Sequence, residues 1–130
     1  MVAGLGFGLP RILAGSEGQS KAAGASDTVR LAVVGMGATQ AVGGVGGRGH
    51  QLIPRLREIP GVTICALCDV DQAFLDREVQ PFKDRGETVA AYTDLRRVLD
   101  DKGIDAVVIA TPNHWHALAT VWACQAGKDV

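Results

Sequence analysis

The sequence predicts a doubly wound α/β fold, in which a parallel sheet is covered by helices on both faces. From residue 28 onward, short apolar segments alternate with amphipathic segments in the order β-α-β-α-β-α-β-α-β, and a glycine-rich stretch follows the first strand. The strand segments are almost continuously apolar, which is typical of parallel strands buried on both faces. In such a sheet, ligands bind at the carboxyl ends of the strands.

The strands are recognised as runs of β-branched and other apolar residues between turn signals. They are predicted at residues 29–34, 62–68, 89–92 and 104–110, and a fifth begins at 128–130. Cys65 and Cys68 both fall in the second strand. Because residues three apart on a regular strand point to opposite faces, we interpret these cysteines as buried apolar residues rather than as a metal or redox pair.

The helices are recognised by apolar residues at three- and four-residue spacing, with polar caps and glycine stops. They are predicted at residues 50–59, at 71–82, from Thr93 or Asp94 to Gly103, and at 114–126. Pro54 indicates a kink or a late start in the first helix, and Pro81 indicates the end of the second. Asn113 is in position to cap the fourth helix, and Arg96 is assigned to a solvated face of the third.

Composition excludes several classes of protein. The 130 residues carry a formal net charge of −1, which disfavours nucleic-acid binding. No apolar stretch reaches the ~20 residues of a membrane span, and the three cysteines and scattered histidines form no disulfide framework or metal cluster. Residues 1–27 are interpreted as a flexible segment and the remnant of an export signal, and residues 28–130 as the folded domain.

Glycines are concentrated near the first strand, with 13 of the 17 in residues 1–49. Residues 35–40 begin a G-x-G-x-x-G pattern with Gly35 and Gly37 but lack its third glycine. Residues 44–49 complete the pattern with Gly44, Gly46 and Gly49 and lead into the first helix. This pattern allows a tight turn and a close approach of the backbone to a pyrophosphate at a helix N-terminus. Because about nine residues look inserted, it stays open which glycines meet the pyrophosphate.

An acidic residue stands where a dinucleotide site requires one. Asp69 follows Gly49 by 20 residues and ends the second strand, where its carboxylate could accept hydrogen bonds from the adenosine ribose. A free carboxylate there repels a 2′-phosphate, so NAD is favoured over NADP, although Arg48 could weaken the preference. The alternative is that these glycines only make a flexible loop.

A second group of polar residues follows the fourth strand. Thr111, Pro112, Asn113 and His116 are predicted to face the same crevice as the glycine loop. His116 is a candidate for contact with cofactor or substrate, with a packing role as its alternative, and His114 is a weaker candidate. Trp115 and Trp122 are predicted to pack.

These segments together resemble the N-terminal domain of the Gfo/Idh/MocA oxidoreductases, which include glucose–fructose oxidoreductase and inositol 2-dehydrogenase. The resemblance covers residues 28 to 130. It rests on V-R-L-A-V-V-G-M-G, G-V-G-G-R-G-H, C-D-V-D, I-D-A-V-V-I-A-T-P-N-H-W-H-A and the terminal A-G-K-D-V.

The resemblance implies a Rossmann domain that binds NAD, or less favourably NADP, in an enzyme that transfers hydride to or from a sugar or polyol hydroxyl carbon. It implies that the glycines and Asp69 hold the dinucleotide, and that Thr111, Pro112, Asn113 and His116 line its nicotinamide side. It places the catalytic lysine of a Glu-Lys-Pro strand, and a second substrate-binding domain, beyond residue 130. It therefore assigns no catalytic residue to this chain. Family members are often homo-oligomers, and some carry a twin-arginine export signal.

We therefore expect a cofactor-binding fragment of an oxidoreductase that is inactive alone and incomplete at its fifth strand. The alternatives are a stand-alone dinucleotide-binding regulatory module and a fragment that does not fold stably because its fourth strand is an exposed edge. For the sequence as given, the expected compartment is the cytoplasm. If paired arginines precede residue 1, the expected compartment is the periplasm.

Overall fold

The computed structural model of the protein describes residues 28–37 and 47–130. Four strands and four helices alternate within these residues: β1 (Val29–Val34), α1 (Arg48–Arg57), β2 (Val62–Cys68), α2 (Gln72–Asp84), β3 (Ala90–Tyr92), α3 (Leu95–Asp100), β4 (Ala106–Ile109) and α4 (Asn113–Gln125). No helix in this part of the chain is long and apolar enough to cross a membrane. The predicted segment 1–27 and the predicted site residues Gly44 and Gly46 lie outside the described residues.

The strands form one parallel sheet in the order β3-β2-β1-β4. From β1 the chain adds β2 and then β3 on one side. It then crosses back over β1 and adds β4 on the other side. This is the predicted doubly wound fold, and its crevice opens where the winding reverses, between β1 and β4. The predicted fifth strand is represented by Asp129, which bridges in parallel to Ala106 at the outer edge of β4.

Helices cover both faces of the sheet. On one face, α1 and α2 pack on the sheet through the cluster Val33, Met36, Ile53, Ile64, Leu67, Leu75, Val79 and Phe82. On the other face, α3 and α4 pack through the cluster Ala32, Val34, Ala66, Cys68, Val98, Leu99, Ile104, Val107 and Ala123. Successive residues of β1 therefore pack into opposite cores, because side chains alternate between the two faces of a strand.

A β-bulge places the two cysteines on the same face of β2 rather than on opposite faces, although both pack against the core as predicted. Leu31 pairs with Ile64 while Ala32 pairs with Ala66, so Cys65 is an extra residue in β2. The bulge reverses the alternation after Cys65, and both cysteines then pack against the core beneath α3 and α4. Burial raises the pKa of Cys68 to about 12 and also raises the pKa of Cys65, so both remain thiols. No cluster of metal-binding side chains occurs among the described residues.

The prolines and one cap also differ from prediction. Pro54 lies inside α1 and Pro81 inside α2, so neither delays nor ends its helix. Both prolines lie at exposed positions of their helices. Asn113 is the first residue of α4 rather than its cap, a position taken by Pro112.

Candidate functional site

A cleft of about 690 Å³ opens at the carboxyl edge of the sheet. A volume of this size is typical of small-molecule and cofactor sites. Residues from the ends of all four strands and from the helices on the α3–α4 face line it: Val34, Gly35, Gly37, Cys68, Asp69, Val70, Thr93, Asp94, Leu95, Arg96, Ala110, Thr111, Pro112, Trp115, Ala119 and Trp122.

Gly35 is the point at which the chain leaves β1. Its φ of +90° lies in the region that favours glycine, and its amide donates to the Cys68 carbonyl at 2.7 Å. A methyl group on Gly35 would lie 2.7 Å from the amide nitrogen of Thr111. The loops after β1 and β4 therefore touch, backbone to backbone, and only glycine fits between them.

Gly49 allows α1 to pack directly on the end of β1. A methyl group on Gly49 would overlap the carbonyl oxygen of Gly35. This close contact between helix and strand is the role of the third glycine in a dinucleotide-binding turn. The N-terminus of α1 is thereby brought to the cleft edge of the sheet, where the partial positive charge of a helix N-terminus favours an anion.

The structure shows which glycines make the turn among the described residues. A methyl group on Gly37 would lie 2.7 Å from the amide nitrogen of Gly47, so two residues ten apart in sequence are in contact. In spatial order, residues 35–37 and 47–49 read G-M-G-G-R-G, which is a complete G-x-G-x-x-G. Gly47 was not predicted as a site residue. The signal that could have identified it is that omitting residues 38–46 leaves an uninterrupted fingerprint.

Asp69 holds this turn from the end of β2. Its Oδ2 accepts hydrogen bonds from the amides of Met36 at 2.6 Å and Gly37 at 3.1 Å, and its Oδ1 accepts one from Asp71 at 3.0 Å. Asp69 also lines the cleft. The predicted ribose-binding carboxylate is therefore beside the glycine turn. Arg48 instead contacts Gln51 on α1, at 3.4 Å.

Only two of the four site residues predicted after β4 line the cleft. Thr111 and Pro112 line the cleft, whereas Asn113 and His116 are not among the lining residues. His116 Nε2 lies 2.7 Å from the Thr111 carbonyl oxygen. Because a carbonyl only accepts, this nitrogen carries the proton, and His116 holds the loop. The Thr111 hydroxyl is buried and has no hydrogen-bond partner among residues 28–37 and 47–130.

Several cleft residues were assigned other roles from the sequence. Asp94 accepts from the Arg96 amide at the start of α3 and pairs with the Arg96 guanidinium at 2.6 Å, a hydrogen-bonded pairing that lowers the pKa of Asp94 to about 2. Arg96, which is predicted to lie on a solvated face of α3, therefore also lines the cleft. Trp122 packs against the core as predicted, but Trp115 is 44% exposed at the cleft. Helix periodicity alone does not show which polar face borders a cleft.

These features fit a dinucleotide. The turn has the glycine spacing that allows the close approach of a pyrophosphate, the α1 N-terminus favours its charge, and Asp69 offers an acceptor for ribose hydroxyls. The unpartnered Thr111 hydroxyl offers a further hydrogen-bonding group on the β4 side.

Comparison with known proteins agrees with this fit. A family model described as "Oxidoreductase family, NAD-binding Rossmann fold" matches residues 29–130. A glycosyl hydrolase family 109 protein of Saccharopolyspora erythraea is 31% identical over 139 aligned positions, covering 99% of this chain and 28% of that protein. An alpha-N-acetylgalactosaminidase of Shewanella oneidensis is 38% identical over 90 residues, covering 65% of this chain and 20% of that protein.

Solved structures give the same fold. The myo-inositol dehydrogenase of Lactobacillus casei, in complex with NAD(H) and myo-inositol, superimposes with a TM-score of 0.64 and 25% identity. The match covers 78% of this chain and 26% of that one. The chain therefore spans about a quarter of the length of such relatives.

Proposed function

Because the chain belongs to the Gfo/Idh/MocA oxidoreductase family and carries its NAD-binding Rossmann domain, we propose that the whole protein acts on a hydroxyl-bearing carbon of a sugar or polyol. In this chain, the observation that supports the proposal is the glycine turn of residues 35–37 and 47–49, held by Asp69 at the mouth of the cleft. For the substrate class, support comes from relatives whose names include myo-inositol and N-acetylgalactosamine, both rings that carry several hydroxyl groups.

Each residue of the site has a distinct part in binding. The turn and the α1 N-terminus receive the pyrophosphate, and Asp69 accepts from the ribose hydroxyls and disfavours a 2′-phosphate. Thr111 and Pro112 flank the half of the cleft beside β4. We propose that His116 acts there through the Thr111 carbonyl and that Asn113 starts α4 behind this loop. When bound, the nicotinamide ring supplies the hydride acceptor.

We propose that the described part of the chain supplies no proton-transfer group. Three carboxyl or thiol side chains line its cleft, and each has bonding partners or a protonation state that does not suit proton transfer. Asp69 accepts three backbone hydrogen bonds, Asp94 is paired with Arg96, and Cys68 stays protonated because burial raises its pKa to about 12. The 130-residue chain should therefore bind NAD without turning over substrate.

This expectation is tested with two substrates. NAD with myo-inositol is followed by absorbance at 340 nm, and nitrophenyl α-N-acetylgalactosaminide by nitrophenol release. We expect neither signal. NAD reduction would show that the chain is itself an oxidoreductase. Nitrophenol release would favour the second candidate, a glycosidase, which the similarity to two glycosidase-named relatives supports.

The remaining alternative is a stand-alone dinucleotide-binding regulatory module. A reading frame that stops after codon 130 would favour this module. A reading frame that continues through Glu-Lys-Pro into a further domain would favour the oxidoreductase.

Cofactor binding is tested by thermal unfolding of the chain with NADH or NADPH. At 100 times its Kd, a ligand that binds only the folded state stabilises it by about 2.7 kcal/mol. For a domain of this size, that stabilisation raises Tm by roughly 10 °C. We expect this shift with NADH and a smaller one with NADPH at equal concentration. A cooperative transition that neither nucleotide shifts would contradict the proposal.

Deleting residues 38–46 tests the assignment of the turn. The deletion joins Gly37 to Gly47, which are already in contact, and leaves a continuous G-M-G-G-R-G. We expect the Kd for NADH to stay within about threefold of the parent, a change below ~0.7 kcal/mol. A tenfold loss of affinity with an unchanged Tm would mean that these glycines do not form the turn alone.

A further inference from the structure

Glu78 is a buried carboxylate behind the glycine turn. It lies on α2 with a side chain only 7% exposed, and a buried charge is costly unless it is paired. His50 Nδ1 donates to both of its oxygens at 2.9 Å, and Arg77 Nε donates to its Oε1 at 2.7 Å. Glu78 therefore joins the start of α1 to the middle of α2.

The same two partners reach the turn itself. The Arg77 guanidinium donates to the carbonyl oxygen of Gly37 at 3.2 Å. The backbone amide of His50 donates to the carbonyl oxygen of Met36, also at 3.2 Å. Glu78 thus stabilises both residues that hold the carbonyl groups of the dipeptide Met36–Gly37.

The opposite side of this dipeptide is held by Asp69, which accepts from both of its amides. All four backbone polar groups of Met36–Gly37 are therefore paired. The carbonyl groups bond to residues of α1 and α2, whereas the cleft residues from helices belong to α3 and α4. This arrangement keeps the two partly negative oxygens directed to the helices opposite the cleft, where they do not oppose an incoming phosphate.

We propose that Glu78 is a positioning residue for the dinucleotide, acting through Arg77 and His50 to hold the Met36–Gly37 turn in the form that receives pyrophosphate. The inference rests on the proposed function, because it assumes that a dinucleotide occupies the cleft. The hydrogen bonds among Glu78, Arg77 and His50 support binding of the phosphates and not of the adenosine.

The experiment compares Glu78→Gln and Arg77→Met with the parent chain by titration with NADH, ADP and adenosine. Glu78→Gln removes the buried charge at nearly constant shape. Arg77→Met removes the donor to Gly37 and leaves Glu78 paired with His50. We expect each variant to bind NADH and ADP about tenfold more weakly and adenosine within twofold of the parent. Arg77→Lys, which keeps a donor, should recover part of the loss.

Glu58→Gln is the matched control, because it removes an exposed carboxylate that faces Arg55 at 3.7 Å on α1. It should leave all three affinities unchanged. Equal weakening of adenosine and NADH would indicate general destabilisation and overturn the inference, as would unchanged NADH binding by Arg77→Met. Absence of NADH binding by the parent chain would instead contradict the proposed function.

Discussion

Replacing Gly49 by alanine is expected to lower the free energy of unfolding by about 3 kcal/mol and to abolish measurable NADH binding. The added methyl group would overlap the Gly35 carbonyl oxygen, which is backbone and cannot rotate away. Overpacking of a rigid site typically costs 1–3 kcal/mol, and here α1 must also move off β1. Chemical denaturation gives the stability, and titration of the folded fraction gives the affinity.

Gly86→Ala provides the comparison with a glycine substitution that strains the backbone but causes no steric overlap. Gly86 has a φ of +70° but no atom within 4 Å of an added methyl group. Its substitution should cost only ~1–2 kcal/mol, from the left-handed conformation alone, and leave the Kd for NADH unchanged. If Gly49→Ala cost no more than Gly86→Ala and still bound NADH, the close contact between α1 and β1 would not define the site.

Asp69→Asn is expected to weaken NADH binding by about 100-fold without creating affinity for NADPH. The substitution removes the charge that would face the ribose hydroxyls and weakens the bonds to the Met36 and Gly37 amides. Hydrogen bonds to a charged group contribute about 1.5–3 kcal/mol each, and a 100-fold loss corresponds to ~2.7 kcal/mol. Isothermal titration with both nucleotides measures the effect.

The matched control is Asp76→Asn, which changes an exposed carboxylate on α2 that accepts from Gln72 at 2.8 Å. It should leave NADH affinity unchanged. Unaltered NADH binding by Asp69→Asn would remove Asp69 from the site. Tight NADPH binding by that variant would show that its carboxylate only sets the choice between cofactors and does not organise the turn.

The fold could be predicted because its signals are local. Buried parallel strands are continuously apolar, as in residues 62–68, and helices on such a sheet repeat apolar residues every three or four positions. Asp69 could be placed for the same reason, since it ends a clearly bounded strand. The bulge at Cys65 has no comparable signal, because an extra residue in a strand leaves the apolar pattern almost unchanged.

The composition of the site was harder to predict because it depends on contacts between distant segments. Gly37 and Gly47 come together only when the chain closes the turn, so a pattern read along the sequence does not show that residues 35–37 and 47–49 form one fingerprint. The neighbours of His116 in sequence predict contact with cofactor or substrate; its ring bonds to the Thr111 carbonyl, and the contact with cofactor or substrate stays a prediction. The direction of a side chain near the start of a helix depends on tertiary contacts, which sequence periodicity does not show.

The most direct test of the central claim is a map of backbone amide NMR shifts in the ¹⁵N-labelled chain during titration with NADH. If residues 35–37 and 47–49 form the pyrophosphate turn, the largest changes should fall on the amides of Met36, Gly37, Gly47 and Asp69, with a second group near Thr111. Saturable binding with changes confined to the opposite edge of the sheet, or no change up to millimolar NADH, would contradict this account.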